Sequence, residues 1–157
     1  MVDRYIDRAN ADAFFQADGH EVEASVLVRV PPAIAFSKWV DRCWFDGGKK
    51  PPKELKAGDV RETIHGTERV IAVAPPKSDG SGSIGSLHFN LIAQGTWIES
   101  YQAMVSFIPD RSNPANTLVL WDVKFEPSRT SVLVCCGGTI LRMLMRNHMQ
   151  NMLKNID

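Results

Sequence analysis

From residue 22 to residue 30 apolar and polar side chains alternate. Val22, Ala24, Val26, Val28 and Val30 share one face, while Glu23, Ser25 and Arg29 fall on the other. A period of two predicts a half-buried strand. Pro31-Pro32 stops it, and proline suits the first turn of a helix, where a backbone N–H has no helical partner in any case. Phe36, Trp39, Val40 and Cys43 then recur at i, i+3, i+4 and i+7, predicting a short helix with one buried stripe. Residues 46–58 are rich in Gly, Pro and Lys and read as a loop.

From Asp59 the period returns to two. Strands are predicted over 60–65, 67–74, 84–93, 97–109 and 117–127, separated by loops at 75–82, Gln94-Gly95 and 110–116. His65-Gly66 reads as a two-residue hairpin turn. That turn sets Ile64 opposite Thr67, Thr63 opposite Glu68 and Glu62 opposite Arg69, the last an opposite-charge pair that supports the register. Residues 131–156 change period to 3.6. Leu141, Met145, His148, Met149, Met152 and Ile156 share one face, and Arg146, Asn147, Gln150 and Lys154 oppose them, as in a long amphipathic helix. Residues 1–20 form an N-terminal arm or weak helix through Ile6, Ala9, Ala13 and Phe14, leaving residues 21–157 as the domain. A strand, a helix, a meander of strands and a final helix make an α+β fold.

Composition narrows the function classes. At 157 residues, one domain can bury a real core. Lysine plus arginine equals aspartate plus glutamate at 18 each, so no net field draws in nucleic acid or an anionic membrane. No local patch is evident either, since Lys49, Lys50 and Lys53 are offset by Asp46 and Glu54. The charged N-terminus has no secretory h-region, and no apolar run is long enough for a membrane span. Three cysteines without a CxxC pair imply reduced thiols and a cytoplasmic setting. The four histidines lack metal-ligand spacing, so neither a metal nor another cofactor is expected. Cys135 and Cys136 at the start of the last helix read as small packed residues rather than nucleophiles.

Particular segments then point to a family. Gly58-Asp59-Val60-Arg61-Glu62 resembles the glycine-x-x-arginine strand opening of the START-like (SRPBCC) superfamily, which includes polyketide cyclases, birch-pollen allergens and abscisic-acid receptors. Thr67-Glu68-Arg69-Val70 is similar to a receptor strand, Trp97 to Tyr101 to the strand carrying the pocket tyrosine, and Thr117 to Pro127 to a segment that often bears a tryptophan, here Trp121. The resemblance spans roughly residues 22–156 and implies a helix-grip fold, a curved antiparallel sheet wrapped around the C-terminal helix. Residues 138–155 would then form one continuous helix across the concave face, burying Leu141, Met145 and Met152. One departure matters: between Arg61 and Glu68 the receptors carry a long gate loop, and this chain has only a tight turn, which argues against a gated hormone receptor.

The same resemblance implies an internal cavity lined by Arg61, Glu68, Phe89, Leu91, Ile98, Tyr101, Trp121, Ile140, Leu144 and His148. Alternation leaves Arg61 and Glu68 between two states. They face the cavity as an obligate pair, or they form a solvated salt bridge with Val60, Ile64, Ile71 and Val73 buried instead. His148 sits in the apolar stripe, as a bonded core histidine or as a polar cavity contact. Tyr101 and Trp121 suit core packing as well as ligand contact. Met143, Met145, Met149 and Met152 suit helix packing or an adaptable wall. His88, out of phase with Phe89 and Leu91, is expected to face solvent.

The expected function is binding of a small hydrophobic or amphipathic ligand, of lipid, polyketide or isoprenoid type, with no catalytic residue assigned. One alternative is a cyclase/dehydratase-like enzyme using cavity His, Tyr, Arg or Glu side chains. Another is a co-chaperone-like interaction module. Any protein partner is left open.

Overall fold

A computed structural model describes residues 16, 19–45, 54–63, 66–79, 82–94, 97–134 and 138–156. Most of the N-terminal arm (residues 1–15, 17 and 18), the hairpin residues Ile64 and His65, and Cys135-Cys136 therefore lie outside the described residues.

Strand β1 (His20–Val28) leads into helix α1 (Pro32–Trp39), which widens into a π-helical turn over Val40–Trp44. Then come β2 (Val60–Thr63), β3 (Gly66–Ala74), β4 (Gly85–Gln94), β5 (Ile98–Pro109) and β6 (Thr117–Pro127). A short α2 (Arg129–Val134) precedes α3 (Thr139–Lys154). All strand pairs are antiparallel, in the order β1-β6-β5-β4-β3-β2. The first strand closes onto the last, and Thr117 Oγ1 donates to the Val30 carbonyl at 2.7 Å to pin that junction.

The inner face carries Val22, Ala24 and Val28 of β1, Leu87 and Phe89 of β4, Ala103, Val105 and Phe107 of β5, and Val119, Trp121, Val123 and Phe125 of β6. Helix α1 lies over them: Trp39 packs on Phe107 at 6.4 Å and on Trp121 at 5.3 Å between ring centroids. Helix α3 packs against β1 and β6.

Several expectations change. The hairpin pairs Arg61 with Glu68, Glu62 with Thr67 and Thr63 with Gly66, so the expected Glu62–Arg69 and Thr63–Glu68 pairings do not form. Glu62 instead accepts a hydrogen bond from the Thr67 hydroxyl at 3.1 Å. Each partner moves by two positions, an even number, so the faces keep their identity while Arg61 and Glu68 become directly opposed. The aliphatic side of this hairpin is the outer one: Val60 is 50% exposed and Ile71 37%. Ile71 is a bulge, with Val70 opposite Phe89 and Ala72 opposite His88, and the extra residue returns Val73 to the inner side opposite Leu87.

The segment predicted as one helix from 131 is two, since Gly138 adopts φ +88° before α3. Residues 139–154 are continuous, as expected, but the deepest positions are Met149, Leu153 and Ile156. Leu141, Met145 and Met152 are only half-buried, because their side of α3 faces a cavity rather than strand β1. His88 is buried, not solvent-facing. It shares a cross-strand row with Met104 and Asp122, both also buried, so the convex face is closed there.

Candidate functional site: a cavity with a buried ion pair

Between the inner sheet face and α3 lies a cavity of about 610 Å³. Arg61 and Thr63 of β2, Glu68 of β3 and Leu91 of β4 form one wall, and Ile98, Tyr101 and Trp121 form the floor. Leu141, Leu144, Met145, His148, Met149 and Met152 of α3 close the other side, and Cys43 and Trp44 come from the π turn.

The polar pole is built around Arg61. Its Nε and Nη2 donate to Glu68 Oε2, each at 2.5 Å, and its Nη1 donates to the Cys43 carbonyl. The guanidinium lies over the Trp44 ring at 4.3 Å and 5.6 Å from the Phe89 centroid. The paired side chains are only 16% and 5% exposed. This settles the alternatives of the sequence in favour of the cavity-facing pair. The tight turn sets the two residues opposite each other, and ion pairing makes their inward placement tolerable. The π turn matters because its extra residue per turn lets Cys43 and Trp44 both be buried, presenting one carbonyl and one ring to Arg61.

Burial pushes the Glu68 carboxyl above its ordinary value despite Arg61. Tyr101 is raised too, by burial and by the Glu68 charge. Burial drives the Cys43 thiol up to about 12, so it stays protonated and inert near neutral pH. The Trp121 indole N–H is buried without a well-formed hydrogen bond, beside the Tyr101 hydroxyl.

Of the ten residues the sequence nominated, Arg61, Glu68, Leu91, Ile98, Tyr101, Trp121, Leu144 and His148 line the cavity. Phe89 does not. It lies beneath the floor with its ring covered by Trp39 at 6.0 Å, Trp44 at 5.3 Å and Tyr101 at 6.0 Å. Ile140 points away from the cavity and is 39% exposed, because it sits about 100° around the helix from Leu141. Met143 likewise leaves the wall, at 57% exposed. His148 is exposed at the cavity's edge rather than buried in the stripe.

Sequence reasoning missed Cys43, Trp44, Glu62, Thr63 and Trp97. Trp44 had a signal, since it continues the Phe36 stripe at i+8. Trp97 had one too, as the first residue of the segment that resembles the pocket-tyrosine strand; its carbonyl accepts from the Ser128 backbone N–H at 3.0 Å and the Ser131 hydroxyl at 2.8 Å.

No protein-family model matches this sequence, and no curated protein does. Solved structures do resemble the fold. A hypothetical protein from Helicobacter pylori aligns over 92% of this chain and 90% of its own, at 13% identity and a TM-score of 0.58. A protein from Thermus thermophilus covers 87% and 94%, at 18% identity and 0.52. The chain shares the fold of these two structures. A START superfamily protein from Mycobacterium smegmatis is a more distant neighbour, covering 88% of this chain and all of its own, at 16% identity and a TM-score of 0.45. At such identities the likeness concerns architecture alone. The six-stranded antiparallel sheet around α3 is the helix-grip arrangement that the motifs implied. Among the described residues no helix is long and apolar enough to cross a membrane.

Proposed function

We propose that this domain binds a small amphipathic molecule of lipid, polyketide or isoprenoid type in its internal cavity, in a cytoplasmic setting. One observation carries the reading: an open cavity of about 610 Å³ with largely apolar walls and a single buried ion pair at one pole. Its size falls within the range of about 300–1,000 Å³ typical of small-molecule sites. Apolar walls supply affinity, and a few fixed polar groups set orientation. Glu68, Arg61 and Tyr101 would orient the ligand's polar end, and Leu91, Ile98, Trp121 and Leu144 would hold its body. His148 would meet it at the edge.

Native mass spectrometry of protein purified without denaturant should reveal a co-purified small molecule. An environment-sensitive hydrophobic dye should bind, and Leu91→Trp should abolish that binding while the fold persists by circular dichroism. His148→Ala should weaken dye binding while changing stability by less than about 0.5 kcal/mol, as exposed positions usually do. If Leu91→Trp folds and binds dye as tightly as wild type, the cavity is not the site.

A cyclase/dehydratase activity is the second reading, favoured by the proximity of Glu68 and Tyr101, two buried groups held toward their protonated forms. It requires turnover that vanishes in Glu68→Gln while ligand binding survives.

A further inference from the structure

The polar pole of the cavity leaves two hydrogen-bonding functions unused. The first is on Glu68. Both Arg61 contacts fall on its Oε2, and among the described residues no hydrogen bond occupies Oε1. Glu68 is 4% exposed yet lines the cavity, so a partner for that oxygen has to come through the cavity. The second is the Tyr101 proton. The Trp121 indole N–H can only donate, and its polar neighbour is the Tyr101 oxygen, which is therefore the accepting side of that contact. The hydroxyl proton is left to point elsewhere, and among the described residues no acceptor takes it. Burial keeps Tyr101 protonated, and the Glu68 charge acts in the same direction, which places the two groups near each other in the cavity wall.

Charge decides what can fill these two functions. Arg61 is the one arginine or lysine among the lining residues, against the carboxylates of Glu62 and Glu68. Its Nε–Nη2 edge, the fork that could clasp a ligand carboxylate with two bonds, already holds Glu68, and Nη1 holds the Cys43 carbonyl. A ligand carboxylate would enter beside Glu68 without a free cation, and two carboxylates sharing one buried site strongly disfavour each other. A ligand ammonium would find Glu68 already neutralised and Arg61 opposing it as a like charge. Ether and ketone oxygens accept from Tyr101 but offer nothing to Glu68. A hydroxyl accepts and donates at once, and it carries no charge.

We propose that the polar end of the ligand is an uncharged hydroxyl, its oxygen accepting a hydrogen bond from Tyr101 and its proton donated to Glu68. The cavity thereby selects apolar alcohols over carboxylic acids of the same shape. Arg61 then serves to hold Glu68 in place rather than to hold the ligand. The inference rests on the cavity reading above and names the chemistry of its ligand.

Displacement of the neutral dye Nile red from the intact protein at neutral pH tests it, with 1-decanol, decanoate, decylammonium, decyl methyl ether and decane as competitors. The alcohol should act at concentrations roughly tenfold or more below decanoate, because like charges set together cost at least that factor. The ether, which lacks the proton for Glu68, should be weaker than the alcohol by about fivefold, the usual worth of one hydrogen bond. Tyr101→Phe should cost 1-decanol about fivefold more than it costs decane. Glu68→Gln leaves Arg61 as an unopposed cation, so decanoate should gain on 1-decanol by roughly tenfold. Should Glu68→Gln fail to fold by circular dichroism, the wild-type series and Tyr101→Phe still decide. Decanoate or decylammonium displacing the dye as well as 1-decanol overturns the proposal, as does a Tyr101→Phe protein that keeps the full preference for the alcohol. If those results come with dye binding that Leu91→Trp blocks, the ligand class alone falls. If Nile red does not bind, or a folded Leu91→Trp still binds it, the cavity reading falls as well.

Discussion

Arg61 exchanges hydration for a carboxylate, a carbonyl and an aromatic face, and these contacts come from separate parts of the chain. Such a pair is poor evidence of net stability, because desolvating two ions offsets most of their attraction. Removing one partner is another matter. Arg61→Met should cost about 3–5 kcal/mol at neutral pH, since it strands an ionised Glu68. The double variant Arg61→Met/Glu68→Leu should recover most of that loss, and urea unfolding measures both. The pH dependence has a definite sign. Glu68 is raised in the folded state, so its contribution is fully present below its ordinary value of 4.5 and is lost as pH rises through the folded value. Arg61→Met removes the opposing cation and raises that value further, so its deficit should shrink on acidification. A deficit that grows instead would mean Glu68 is not the buried charge at issue.

At the scale of elements, α3 presents three faces with three energetic roles. Met149 and Leu153 pack on the core, Met145 and Leu144 face the cavity, and Met143 faces out. Leu153→Ala should therefore cost about 2–5 kcal/mol, the range for large-to-small core changes. Met143→Ala should stay within about 0.5 kcal/mol, as exposed positions do. Equal losses at the two sites in chemical denaturation would contradict this orientation. The helical period was plain in the sequence, and so was the existence of the stripe. Which part of the stripe would be deepest was not, because a helix spanning a cavity leaves some of its apolar residues facing space. The hairpin was similar: its strands were legible, but its register depended on which two residues turn, and Glu68 found Arg61 rather than Thr63.

Across the whole molecule, β1 pairs with β6, so Val22 meets Val123 across much of the chain. Such long-range pairing must overcome loop-closure entropy before it contributes any stability. Refolding from urea should accordingly take milliseconds to seconds, as in other sheet-rich domains, and stopped-flow tryptophan fluorescence measures it. Microsecond refolding would indicate that the β1–β6 closure is not part of the barrier.

The sequence by itself determined the order and type of the elements, because periods of two and 3.6 are local properties of the chain. Motif order then carried it to the helix-grip fold and to eight of the residues that line the cavity. Tertiary structure alone decided the rest. It turned the charged side of the β2–β3 hairpin inward, since only the opposed Arg61 and Glu68, with the π-turn carbonyl, make buried charge tolerable. It also moved Phe89 below the floor and His148 to the edge. Those outcomes depend on what each residue meets across space, which a one-dimensional pattern does not record.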